Sequence, residues 1–293
     1  MVTAASRRTF CLGLGAAALS WPPSAGAGPA RRIAALEHRI VETVLALGVT
    51  PFAMQDPLNY RRWTVEPALP EGVRDVGTEP EPNIEYLAAL GPDLIVIPAE
   101  RQDLARLEAI APVARLVMTP PEGVSEYDHF ADVMRATAAL LGRDRQAQSV
   151  IAGVEAAIRR AQALLSPLAG RAVYLATLVD ERHLWVYGRA NLFQAVLDRI
   201  GLVNAWDGES VFDVVGIERL AGRRDASLVY IENNLKGLPP GLAESPLWQA
   251  LPFVRANRVH GIASVSPFGA LPTASRFARL FSDRLSAIAA GDG

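Results

Sequence analysis

The sequence predicts an α/β protein of two lobes, each made of parallel βα units, joined by a long rigid helix. Three observations carry that expectation. Short apolar strands alternate with helical stretches from Arg32 to Val117, and the alternation resumes from Val173. Between them, Phe130 to Leu165 keeps apolar residues at helical spacing almost without interruption. The two flanks also echo one another. Ile84-Glu85-Tyr86-Leu87-Ala88 leads to Asp93-Leu94-Ile95-Val96-Ile97, and Ile217-Glu218-Arg219-Leu220-Ala221 leads to Ser227-Leu228-Val229-Tyr230-Ile231. In each half a glutamate opens a helix and a strand follows ten residues on. Helix N-termini favour glutamate through their dipole, so the echo alone assigns no role.

Residues 1–27 carry the three parts of a secretion signal. Ser6-Arg7-Arg8-Thr9-Phe10 is charged, Cys11 to Trp21 is apolar, and Ala25-Gly26-Ala27 has the small-x-small form of a cleavage site. The paired arginines predict the twin-arginine route, with an ordinary Sec signal as the alternative. The apolar run falls short of the ~20 residues that a membrane-spanning helix needs. Export to the periplasm with cleavage near Ala27 is therefore expected.

The first lobe is expected over 28–129. Ile33–Leu36, Pro51–Ala53, Leu94–Ile97 and Arg115–Val117 read as strands. Val41–Leu47, Asn83–Leu90 and Leu104–Ile110 read as helices. The linking helix is expected over 130–168, as one helix or two abutting ones, with a weak point at Gly142-Arg143-Asp144. The second lobe then covers 169–293, with strands at Val173–Leu178, Leu184–Tyr187 and Leu228–Ile231. Its helices are expected at Leu192–Ile200 and from about Thr273.

Half of the chain is hydrophobic and the formal net charge is −2, which gives no bias toward nucleic acid or an acidic membrane surface. The one cysteine, Cys11, lies in the signal and lacks the small apolar residues a lipid-anchor site needs before it, so the mature chain is expected to hold no disulfide. The four histidines, His38, His129, His183 and His260, stand singly, which argues against a zinc- or manganese-binding site between the lobes. No G-x-S-x-G, P-loop, H-E-x-x-H or post-strand G-x-G-x-x-G motif is present. Dispersed carboxylates could still form an acid–base pair, so an exported enzyme is the rival from another class.

Arg32-Ile33-Ala34-Ala35-Leu36-Glu37, Asn59-Tyr60-Arg61-Arg62-Trp63, Asp75-Val76-Gly77 and Glu81-Pro82-Asn83 stand in order along the first half. Asp180-Glu181-Arg182-His183, Asn204-Ala205-Trp206-Asp207-Gly208-Glu209 and Pro246–Arg255 continue the series. Taken together, nearly the whole mature chain resembles the helical-backbone (class III) periplasmic binding proteins, and within them the ferric-hydroxamate type that serves ABC importers. The resemblance implies a monomer without a cofactor, carrying an iron(III)–siderophore in a shallow cleft between the lobes. It also implies a glutamate on each lobe that docks with the membrane permease, a role that Glu85 and Glu218 match. A cobalamin or haem carrier of the same fold remains the alternative ligand class.

The family's ligand grip is only partly kept. Trp63 matches a cleft aromatic, and Phe268 falls where the family carries one. Glu79 replaces the cation that follows Asp-Val-Gly, Arg101 lies where a tyrosine is expected, and His38 stands where an aromatic does. A neutral trihydroxamate complex needs donors and aromatic walls. The departures therefore predict an anionic, carboxylate- or citrate-type complex held by Arg61, Arg62, Arg101 and Arg189.

Overall fold

A computed structural model of the chain describes residues 32–79, 81–232 and 237–289. The expected signal, 1–27, lies outside the described residues. The first lobe holds one parallel sheet in the order β3-β2-β1-β4-β5. Its strands are β1 (Ile33–Ala35), β2 (Ala53–Met54), β3 (Arg74–Asp75), β4 (Leu94–Pro98) and β5 (Val113–Leu116). Helices α1 (His38–Ala46), α2 (Pro57–Asn59), α3 (Ile84–Leu90) and α4 (Leu104–Glu108) lie in its crossovers. Ile33, Leu94 and Val96 pack into one apolar cluster, while Ala34, Ile95 and Ile97 pack into another. The sheet is thus covered on both faces, as continuously apolar parallel strands require.

The stretch expected as a linking helix is two helices, and the first begins earlier than 130. Ser125 caps α5 (Glu126–Leu141) by accepting the Asp128 N–H, and Gly142, at φ 65°, ends it in a left-handed turn. After that break α6 (Asp144–Leu164) runs to a 3-10 turn at Ser166–Leu168.

In the second lobe the strands are β6 (Ala172–Leu178), β7 (His183–Tyr187), β8 (Val203–Asn204), β9 (Phe212–Gly216), β10 (Ser227–Glu232) and β11 (Val259–Ala263). They order as β11-β10-β6-β7-β9, with β8 also paired to β6. Here the expectation of an all-parallel sheet is corrected, because β7 is antiparallel to both β6 and β9. Only Val179–Arg182 joins β6 to β7, which suits a hairpin and is too short for a crossover. Asp180 closes that turn by accepting the N–H groups of Arg182 and His183. The remaining helices are α7 (Leu192–Ile200), α8 (Pro240–Ala243), α9 (Pro246–Gln249), α10 (Pro252–Arg255) and α11 (Leu271–Ala289). Each of the three short ones starts on a proline, whose fixed φ suits the first helical position.

The lobes share one apolar core. It takes in Ile40, Val41 and Val44 of α1, Ile151, Val154 and Ile158 of α6, Phe277 and Phe281 of α11, and Val173, Leu175 and Val229 of the second sheet. α6 packs along α11, so the spine is a helix pair. Glu66 of the first lobe adds ion pairs to Arg276 and, at 2.7 Å, to Arg279 of α11. Closing the lobes would have to repack this core, which close packing resists.

Candidate functional site

In a parallel α/β sheet the loops at the carboxyl ends of the strands carry the ligand-binding groups. At that edge of the first lobe stand His38 after β1, Gln55 after β2, Glu79 after β3 and Arg101 after β4. Gln55 ties them together. Its side chain is fully buried, its amide donates to the carbonyl oxygens of Thr78 and Glu79 (2.7 Å to the latter), and its Oε1 accepts from Arg101 at 3.1 Å. Arg101 also makes a bidentate pair with Asp103, Nε to Oδ1 at 2.8 Å and Nη2 to Oδ2 at 2.7 Å. Those hydrogen bonds from Arg101 hold the Asp103 carboxyl below its ordinary range. The His38 backbone N–H donates to Glu79 Oε1 at 3.1 Å, its ring Nε2–H donates to the Asp56 carbonyl at 3.0 Å, and its ring stands edge-on to Tyr60. His38 is thereby a strut that orients Glu79. Glu79, Glu81, Ile84, Arg101, Asp103 and Arg106 line a cavity of about 530 Å³.

The second lobe supplies aromatic surface. Trp185 of β7 stacks on Phe212 of β9 with ring centroids 4.8 Å apart, a diagonal pair across the antiparallel ladder. Phe268, in the loop after β11, meets Phe212 edge-on at 6.0 Å and is 51% exposed. The same loop reaches the first lobe, where the Ser264 hydroxyl donates to the Arg62 carbonyl at 3.0 Å. Trp63 lies at that contact, with the Arg62 guanidinium 5.8 Å from its ring centroid.

Of the side chains singled out in the sequence, the structure brings His38, Glu79 and Arg101 to one floor, and sets Trp63 and Arg62 where the lobes touch. Phe268 belongs to the aromatic row. Arg61 turns away, donating to the Pro70 carbonyl at 3.2 Å and lying 3.6 Å from Glu71. Arg189 pairs with Glu209 at 3.3 Å and lines a separate cavity of about 900 Å³, between the Thr119–Glu126 segment and α7. Glu85 and Glu218 are exposed on their own lobes, and Glu85 lies 3.8 Å from Arg106. Sequence reasoning missed Gln55, Asp103 and Trp185. Asp103, two residues from Arg101, and Trp185, at an alternate position of a strand, left a local signal; Gln55 left none. Among the described residues no three His, Cys, Asp or Glu side chains converge to hold a metal ion.

Two α/β lobes on a helical spine, with polar and aromatic groups gathered at the strand ends, define a solute-binding protein of the helical-backbone type. The chain belongs to the periplasmic binding protein family, which it matches over residues 33–265. It is 34% identical over 290 residues to the iron(3+)-hydroxamate-binding protein FhuD of Escherichia coli strain K12, covering 96% of each chain. It is 24% identical to the Fe(3+)-citrate-binding protein YfmC of Bacillus subtilis strain 168, over 80% of this chain and 73% of that one. Among solved structures, the siderophore-binding protein FhuD of Vibrio cholerae with Fe3+-Desferal bound superposes with a TM-score of 0.77 at 28% identity, covering 88% of this chain and 98% of that one. These relatives are binding proteins rather than enzymes.

Proposed function

We propose that the protein is an exported carrier that captures an iron(III)–siderophore and delivers it, as a monomer, to the permease of an ABC importer. The observation that carries this is the pairing of a hydrogen-bonding floor (Gln55, Glu79, Arg101, Asp103) with an aromatic row (Trp185, Phe212, Phe268) on the other lobe. Metal-bound chelate oxygens accept hydrogen bonds and the organic shell packs on rings, so a ferric chelate uses both. The whole-chain likeness to a hydroxamate binder supports the same reading.

The state of the arginines supports one chelate class over the other. Arg101 is matched by Asp103, Arg189 by Glu209, Arg61 leans on Glu71, and Arg62 covers Trp63. Three of the four guanidinium groups thus have a carboxylate beside them, only Arg62 meets an aromatic face instead, and Glu79 repels an anionic chelate. A neutral ferric trihydroxamate fits this floor better than the carboxylate type expected from sequence. Glu85 and Glu218 serve as the permease contacts, one on each lobe, and residues 1–27 direct export by the twin-arginine route with cleavage near Ala27.

Tryptophan quenching with ferrichrome, ferric citrate, haem and cobalamin tests the reading. Ferrichrome is expected to bind at one equivalent and be recovered unchanged. Saturable binding of haem or cobalamin, with no response to either ferric chelate, refutes it.

A further inference from the structure

A bare guanidinium at the floor of a partly buried cavity would be an anion site. Arg101 is held differently. Its side chain is 13% exposed and its charge faces a bidentate carboxylate at 2.7–2.8 Å, from Asp103 two residues on in the same loop. At that separation, and partly shielded from water, the pair presents little net charge to a ligand. The guanidinium offers five N–H donors, of which Asp103 takes two and Gln55 one. Gln55 cannot rotate to release its hold. Both carbonyls that face its amide nitrogen accept only, so Oε1 is the atom turned to Arg101. Glu79, Glu81 and Arg106 share the cavity; one Glu79 oxygen is taken by the His38 N–H and Arg106 faces Glu85 at 3.8 Å, so beyond the neutralised pair the lining carries no excess of positive charge.

We propose that Asp103 and Gln55 are positioning residues that set ligand specificity: they fix Arg101 as a hydrogen-bond donor while cancelling its charge, so that the floor selects neutral over anionic ferric chelates. This rests on the ferric-chelate reading given above. Asp103 supplies the charge filter, and Gln55 supplies the direction of the remaining N–H groups. The consequence is a site whose selectivity one substitution can turn around, because removing the carboxylate uncovers the cation without moving it far.

The experiment titrates wild type, Asp103→Asn, Gln55→Leu and Arg101→Gln with ferrichrome and with ferric citrate, by tryptophan quenching at low and high salt. Thermal unfolding checks each variant. Asp103→Asn is expected to raise the ratio of ferric citrate to ferrichrome affinity at least tenfold, and high salt is expected to shrink that gain. Arg101→Gln leaves Asp103 bare and moves the ratio the opposite way. Gln55→Leu weakens ferrichrome without any gain for citrate. Opposite signs from two neighbouring substitutions do not arise from loosened structure. An unchanged ratio in folded Asp103→Asn overturns the inference while leaving the ferric-chelate reading intact, and should that variant not fold, an unchanged ratio in Arg101→Gln does the same. A wild type that binds neither chelate overturns both.

Discussion

Glu42, in α1 of the first lobe, accepts the backbone N–H of Thr273 at 2.6 Å, in the first turn of α11 in the second. The same carboxylate accepts the Ala270 N–H at 2.8 Å and is 1% exposed. A helix N-terminus leaves several N–H groups without partners, and a capping side chain normally comes from its own helix. Here the cap comes from the opposite lobe. The position of α11, and with it the Phe268 loop, is therefore keyed to α1.

The first prediction concerns pH. Burial pushes the Glu42 carboxyl up to about 7, against the pull of the two N–H groups. With the native pKa above that of the unfolded chain, the native state binds more protons between about pH 4.5 and 7. This group's stabilisation is complete below that window and is lost as pH rises through it. A tenfold change in proton binding is about 1.4 kcal/mol, so the swing is on the order of 3 kcal/mol. Urea unfolding at pH 5.5 and pH 8 captures about 2 kcal/mol of it. Glu42→Gln, which does not titrate, should lose most of the difference, and an equal slope in both proteins contradicts the assignment.

A second prediction follows from Glu66. The Arg276 side chain is 9% exposed, and burial lowers its pKa against the attraction of Glu66. Glu66→Ala removes the partner and leaves a mostly buried cation, which costs more than an exposed pair would. About 1–3 kcal/mol of stability should go, a range kept below that of fully buried pairs because Glu66 itself is half exposed. Arg279→Ala, at an exposed position, should cost much less. Equal losses would show that Arg276 is not the residue in need of a partner.

Legibility in the sequence followed the strength of local pattern. The edges of β4 and α7 could be placed closely because Leu94–Ile97 is apolar throughout and Leu192–Ile200 is strongly amphipathic. β3 and β8 are two residues long and carry no periodicity, so they form only because a neighbouring strand offers a ladder. Gly142 was visible as a weak point, yet its left-handed φ, which separates α5 from α6, appears only in the fold. Residue types at the site were legible, whereas partners were not. Arg101 and Arg189 look alike in sequence, and what distinguishes them is Gln55, brought in from β2 across 46 positions of chain.

The third prediction concerns the aromatic row. Of the five tryptophans, Trp21 lies in the expected signal, Trp248 is buried in the second lobe's own core, and Trp206 packs against that core with its indole N–H donated to Asp213 at 2.6 Å. Trp63 and Trp185 are the two that a ligand held as proposed would meet. Changing both to Phe should remove most of the quenching by ferrichrome while leaving much of its affinity, because Phe keeps the apolar face. Trp185→Ala should instead weaken binding about tenfold, roughly 1.5 kcal/mol, through lost ring contact. If the double Phe variant still quenches fully, the chelate lies elsewhere.

The last prediction separates capture from delivery. Glu85 and Glu218 occupy matching places in the two lobes, each in the first turn of a helical segment, and neither lines the Glu79–Arg101 cavity. The Glu85 side chain is 84% exposed and its nearest cation, Arg106, is 3.8 Å away and also exposed, a geometry worth little in the free protein. Both carboxylates are thus available to a partner's arginines, where charge sets register and the rate of encounter more than affinity. Under the proposed docking, reversal to Lys would place like charges against the permease and should abolish iron uptake in cells that depend on this carrier. Ferrichrome affinity and the unfolding midpoint of the purified variants should stay within error of wild type. A reversal that weakens ligand binding as much as uptake would move that glutamate from the docking face into the binding site. Full uptake with both reversals present would remove the docking assignment altogether.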